Sequence, residues 1–258
     1  MPTRTKRYGW IPDFPDHRDH VFAGPAGAPL VVAPKVDLRA RCPKRIPDQG
    51  RLASSTAHAI AAACEFELLR QNRRDVTVSR LFIYYNQRAL AGTVRIDGGA
   101  SIRDGLKTAH KLGICDETTW PYSDKDPGPY QEKPSATAYA EAKGHRILAY
   151  SRVPRSLRAM KTCLSAGWPF LFGFSAYAGF ESGEAAKTGV VQMPRSSESL
   201  IGGHVVLAVG YDDSSQRFIA RNSWGAEWGE GGYFAIPYAY LLDEGLADDF
   251  WTLTVAAR

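Results

Sequence analysis

The sequence predicts an α+β protein of two lobes, the first mainly helical and the second built on antiparallel strands. Two observations carry this. Before Pro134 the apolar residues recur at helical spacing in three stretches. Beyond it they gather into short runs bounded by Gly, Asp and Ser. A chain of 258 residues can bury two such lobes. Its apolar runs are well short of the roughly 18 residues of a membrane span.

The first helix is read from Asp48–Glu67, D-Q-G-R-L-A-S-S-T-A-H-A-I-A-A-A-C-E-F-E, with Ser54 and Ser55 at its start. Ala57, Ile60, Ala61, Cys64 and Leu68 fall on one face, which is expected to be the buried one. The positive end of the helix dipole suits an anionic nucleophile there. A second helix is expected over Ser79 to Leu90, with Ser79 as N-cap. The third, I-R-D-G-L-K-T-A-H-K-L, has Ser101 and Asp104 at capping-box spacing and Gly113 as its stop. His110 on that helix reads as a surface residue. Beyond Pro134, Ser156 to Leu164 reads as a short helix. Strands are expected over 170–174, 204–211, 218–222, 233–236 and 251–255. Residues 175–203 read as a long, mobile surface connection.

The net charge of +5 is modest and the basic residues are scattered, Arg4, Lys6, Arg7 and Arg70, Arg73, Arg74 being the densest groups. No nucleic-acid or membrane partner is expected from this pattern. Cys42, Cys64, Cys115 and Cys163 form neither C-x-x-C nor a zinc-ligand spacing. Cys64 reads as a buried small hydrophobe, and a Cys42–Cys115 bridge is left open. His17 and His20 with Asp16 and Asp19 could be imagined as a metal site, but a charged segment lying on a folded surface is the plainer reading. No metal or cofactor is expected. No apolar core follows the basic start, so the expectation is a cytoplasmic protein or one exported without a classical signal.

A second block, G-G-H-V-V-L-A-V-G-Y, is followed by R-N-S-W-G-A-E-W-G-E-G-G-Y-F. With Gln49-Gly50 and the small residues after them, these blocks resemble the papain-like (cathepsin-type) cysteine peptidases. That family carries Q-G-x-C-G-S-C-W-A-F at the first helix and N-S-W-G-x-x-W-G-x-x-G-Y near the end. His204 follows Ser55 by roughly 150 residues, inside the interval of about 130–150 known for the family, and Asn222 lies a little beyond it. The resemblance covers roughly Pro34 to the C-terminus. It implies a papain-like two-lobed fold, with a helical lobe, an antiparallel β-barrel-like lobe and the active-site cleft between them.

By the same resemblance, His204 is the base, Asn222 orients its ring and Trp224 covers their bond. Gln49 and the backbone N–H of residue 55 form the oxyanion hole. Asp97-Gly98-Gly99-Ala100 resembles the segment that pairs with an extended substrate, although a plain turn is also consistent with it. Ala100, with Gly203 and Gly173, then borders a roomy, uncharged pocket for a large apolar or aromatic residue, the second N-terminal to the scissile bond. A-P-K-V-D-L-R resembles the family's mature N-terminus. Residues 1–33 therefore read as a short pro-segment docked at the cleft, and 34–258 as the peptidase domain, 34–133 helical and 134–258 sheet. The expected partners are a polypeptide substrate and this segment, in a monomer.

Three departures matter. Leu52 replaces the family's first Cys, so its bridge cannot form. Thr56 and His58 replace Trp and Phe, and His58, three residues from Ser55, raises a local Ser–His pair. Above all, Ser55 stands where the nucleophilic Cys belongs. Three readings follow: a cysteine peptidase inactivated by Ser55, a natural pseudo-peptidase that binds peptides or a partner, or a serine-type hydrolase or condensing enzyme using Ser55.

Overall fold

The structure is a computed structural model that describes residues 7–24, 32–73 and 76–256. The basic residues Arg4, Lys6 and Arg74, and most of the Gly- and Pro-rich break after Phe22, lie outside these.

Helix α1 (Ser55–Arg70) is the axis of the molecule. The sequence marked one face for burial, but every residue from Ser55 to Leu68 is buried. The reason is its run of small side chains, which lets the sheet approach one flank while helices α2 (Arg80–Leu90) and α3 (Ile102–Leu112) pack on others. The caps are as read. Ser79 Oγ accepts from Phe82 N–H, and Ser101 Oγ from Asp104 N–H. Gly113 ends α3 at φ 83°, and a Cβ there would meet the Ala142 carbonyl at 1.7 Å.

That carbonyl belongs to α4 (Ala136–Ala142), which lies past Pro134 yet packs on α2, Tyr139 reaching Asn86 Oδ1 at 2.8 Å. Strand β1 (Lys35–Asp37), by contrast, precedes all the helices and pairs with β4 (Leu200–Asp212) in the sheet. The remaining elements are β2 (Ile147–Arg152), α5 (Leu157–Ser165), β3 (Phe170–Tyr177), α6 (Gly183–Thr188), β5 (Arg217–Arg221), β6 (Tyr233–Pro237), α7 (Tyr238–Leu242) and β7 (Ala247–Val255). The sheet is antiparallel in the order β2-β7-β3-β4-β5-β6. Its edges β2 and β6 do not pair, so it is open rather than closed into a barrel.

One expectation needs correction, and two readings left open or held as the lesser one can be decided. Residues 175–203 are not a bare surface loop. β3 runs on to Tyr177, a 3₁₀ turn and α6 follow, and Phe180, Ala185 and Val191 are buried. No Cys42–Cys115 bridge exists: all four cysteines are free and buried, and the Cys42 thiol turns to the Leu38 carbonyl. Asp16 and Asp19 are not gathered around the histidines. Asp16 pairs with Arg18, while Asp19 pairs with Arg103 and Arg152. Among the described residues no helix is long and apolar enough to cross a membrane, and no His/Cys/Asp/Glu group could hold a metal ion.

Candidate active site

Ser55 is the first residue of α1, with Ser54 as N-cap, so its hydroxyl lies at the positive end of the helix. That end abuts β4: Ser55 Oγ accepts from the Val205 N–H at 3.4 Å, beside His204. His204 is fully buried, and its Nε2–H donates to Asn222 Oδ1 at 2.8 Å. Asn222 is presented just past β5, where its own N–H donates to the Gly232 carbonyl. The same Oδ1 accepts from Ser223 N–H at 2.8 Å, which fixes which end of the amide faces the imidazole. Trp224 lies over the His204 ring at 5.1 Å between centroids.

Gln49 is also fully buried. Its Oε1 accepts from the Ser223 hydroxyl at 2.7 Å, so its Nε2 must face the opposite way. That nitrogen donates to the Leu52 carbonyl at 2.9 Å and to the Arg7 carbonyl at 3.1 Å. A donor that can grip a peptide carbonyl beside Ser55 is what an oxyanion hole requires.

The Asp97–Ala100 segment is held by the shielded Asp97 carboxylate, which accepts from Ala53 N–H, the Tyr84 hydroxyl and Arg7. Ala100 N–H donates to the Gly9 carbonyl at 2.8 Å, and Ala100 O accepts from Ile11 N–H at 3.2 Å. Across the cleft, Trp10 N–H donates to Gly203 O at 2.9 Å. Gly99, at φ 80°, allows this approach, since a Cβ there would sit 2.1 Å from the Gly9 carbonyl oxygen. Gly98 has open space, its nearest neighbour being Ile96 at 3.6 Å. The Trp10 indole lies against Gly173 and Gly203. Its Nε1–H donates to Asp249 Oδ2 at 2.9 Å. The space beside Ala100, Gly173 and Gly203 thus holds the Trp10 ring, with the Asp249 carboxylate at its edge, so its lining is not uncharged.

His58 does not pair with Ser55. Its Nδ1 faces the Ser54 carbonyl at 3.0 Å and Ser54 Oγ at 3.3 Å. Burial, then the Arg80 charge, push its pKa down to about 3, so it is neutral, with Nδ1 engaged by Ser54 rather than Ser55. His110 is exposed, its Nδ1 donating to the Ile147 carbonyl.

The sequence reading missed Tyr8, Phe180, Ser223 and Asp249. Tyr8 sets its edge against both His204 and Trp224. Phe180 packs on His204, Trp224 and Trp228 from the supposedly bare connection. The available signal for Phe180 was an aromatic pair, Tyr177 and Phe180, at the start of an otherwise small-residue stretch. Asp249 had none, because only the fold brings it to Trp10.

The family model "Papain family cysteine protease" matches residues 32–244. An uncharacterized peptidase C1-like protein of Acanthamoeba polyphaga mimivirus is 40% identical over 97% of this chain and 88% of its own length. The crystal structure of xylellain, a cysteine protease from Xylella fastidiosa, is 42% identical, covers 98% of both chains and superposes with a TM-score of 0.91. A procathepsin B of Trypanosoma congolense, at 17% identity and TM-score 0.77 over 97% of this chain and 87% of its own, shares the fold. The match across most of the chain, with Gln49, His204 and Asn222 gathered around the start of α1, makes this chain a member of the papain family of cysteine proteases.

Proposed function

We propose that this chain is a papain-type endopeptidase in a zymogen-like state, with a serine where its nucleophilic thiol belongs. The observation that carries the reading is the intact, buried arrangement around Ser55: the His204–Asn222 hydrogen bond, the Trp224 cover and the oriented Gln49 amide.

A thiol at position 55 would lose its proton to His204, and the helix N-terminus would stabilise the thiolate. Attack on a peptide carbonyl gives an oxyanion that Gln49 Nε2–H and the residue 55 N–H can hold. One such donor is worth roughly 3–4 kcal/mol of barrier. His204 then protonates the leaving amine, and water, deprotonated by the same ring, releases the acyl group. A serine hydroxyl does not pre-ionise, so in a site shaped for thiolate and imidazolium it leaves the enzyme almost inactive.

The N-terminal segment completes the reading. In a productive substrate, the residue filling the Ala100–Gly203 pocket lies N-terminal to the carbonyl in the oxyanion hole. Here Trp10 fills that pocket, whereas the carbonyl on Gln49 belongs to Arg7, earlier in the chain. The segment thus runs backwards through the cleft, which supports an inhibitor rather than a substrate.

The test is Ser55→Cys, assayed on a fluorogenic peptide with thiol present. Activity that a thiol alkylator blocks is the expected result. An inert, folded variant that still binds peptide would point to a pseudo-peptidase instead. Activity of the serine form, lost in Ser55→Ala, would make Ser55 itself the nucleophile.

A further inference from the structure

Behind Asn222 lies a small cavity of ≈ 10 Å³, counted as space open to the centre of a water molecule, and His58, Val205, Asn222 and Ser223 help to line it. That is room for about one water. Two of these residues bring a buried polar atom that no protein group satisfies: His58 Nε2 and Asn222 Nδ2. Each residue is only 3% exposed. Leaving both atoms without partners would forfeit the hydration that each has in water.

The two atoms are of opposite kind. A carbonyl oxygen can only accept, so His58 Nδ1, 3.0 Å from Ser54 O, carries the ring hydrogen. Burial keeps the ring neutral, which leaves Nε2 as a bare acceptor. On the other side, Asn222 Oδ1 already accepts from His204 and Ser223. Its NH₂ is therefore the end left to donate. The residue with the spare donor and the residue with the spare acceptor line one cavity of water size.

We propose that a single buried water in this cavity accepts from Asn222 Nδ2–H and donates to His58 Nε2, which makes His58 a positioning residue for the catalytic asparagine. Together with the Ser223 N–H, which donates only to the oxygen end, the water holds the Asn222 amide with its oxygen toward His204. A flipped amide would present NH₂ to His204 Nε2–H, donor against donor. The imidazole would then move its hydrogen to the nitrogen needed for the nucleophile's proton. His58 thus acts on His204 through the water and Asn222, without touching substrate. The kinetic role rests on the peptidase reading above; the water and the tautomer do not.

Two arms test this. In the Ser55 chain, nitrogen-15 NMR of the histidines should show His58 with hydrogen on Nδ1 and an accepting Nε2. An atomic-resolution crystal structure should show a solvent peak within hydrogen-bond reach of both atoms. His58→Phe should remove the peak and give the Asn222 side-chain amide a second, flipped population. In Ser55→Cys enzyme, His58→Phe should lower kcat about tenfold, the size of one hydrogen bond in the barrier, with KM little changed. His58→Gln, whose amide oxygen can accept from the water, should restore most of it. A dry cavity, a hydrogen on His58 Nε2, or an unchanged Asn222 amide in His58→Phe overturns the proposal. So does a kcat per folded site that His58→Phe leaves intact while the melting temperature falls, since that marks His58 as packing alone. Should Ser55→Cys prove inert, the peptidase reading fails, and the NMR and crystallographic arm still decides this one.

Discussion

The two halves of the described N-terminal segment are held by different physics. Residues 7–11 lie in the cleft on main-chain hydrogen bonds to Ala100 and Gly203, aromatic contacts to His204 and Trp224, and ion pairs from the 47%-exposed Arg7 guanidinium to Asp97 and Asp126. Residues 13–22 are tied down by shielded charges. Asp13 accepts from Arg152 and from Trp251 Nε1–H, and Asp19 pairs with Arg103 at 2.5 Å and with Arg152 at 2.7 Å. Two backbone bonds of 2.7 Å join His20 and Phe22 to Arg152. These partners come from α3, β2 and β7, so the second half straps helices to sheet. The first half uses bonds that an extended peptide could replace. No ordinary substrate could replace the second. We therefore expect the halves to respond separately to mutation.

The largest effect should come from the strap. Arg152→Met removes the cation shared by Asp13, Asp19 and Asp249 and leaves shielded carboxylates without it. Breaking a buried pair from one side costs about 3–5 kcal/mol. The urea midpoint should fall accordingly with little change in slope. A loss below about 1 kcal/mol would reduce the strap to the value of a surface ion pair.

Gly173→Ala should act on the cleft half alone. An added Cβ would lie 2.1 Å from Trp10 Cε2, and a rigid indole cannot bend away. Expelling the ring forfeits its burial and its bond to Asp249, about 2 kcal/mol together. Amide hydrogen exchange should speed up at Trp10 and Ile11 while Phe22 keeps its protection. Equal loss at Phe22 would mean that the halves leave together.

Why so much of the site was legible, and so little of this segment, follows from the range of the forces. Caps such as Ser79, Ser101 and Gly113 act within four residues, and their side-chain chemistry shows in any short window. Ser55, Gln49, His204 and Asn222 stand in local blocks whose neighbours share the task. The full burial of α1 was hidden because small residues do not mark a face. Asp249 was hidden for a different reason. Its partners Trp10, Asp13 and Arg152 are far away in sequence, and an Asp beside an Asp on a strand looks like any polar edge.

Asp249 also offers the finest separation of the two halves, because it sits where they meet. Its Oδ2 accepts from Trp10 Nε1–H and Asp13 N–H, and its Oδ1 from Arg152. Burial, followed by the nearby Asp13 charge, pushes its pKa up to about 6, from an ordinary 3.8. Some of that burial is provided by the docked segment itself. The docked form then binds more protons than the open form between about pH 4 and 6, so docking weakens as pH rises through that window and levels off above it. Asp19 has the opposite sign. Burial raises its pKa, but hydrogen bonds from Arg103 and Arg152 outweigh it and hold the carboxyl below its ordinary value. Its contribution is complete above that ordinary value and fades only as pH falls through the depressed one. Lowering the pH from 7 to 5 should thus tighten the cleft half and leave the strap unchanged. Exchange at Trp10 and Ile11, corrected for intrinsic rates, should slow over that range, and Asp249→Asn should flatten the profile. If the slope survives Asp249→Asn, another group sets it. If protection at Trp10 instead grows as the pH rises, the segment is held by the ionised carboxylate, and Asp249 belongs with the strap rather than between the halves.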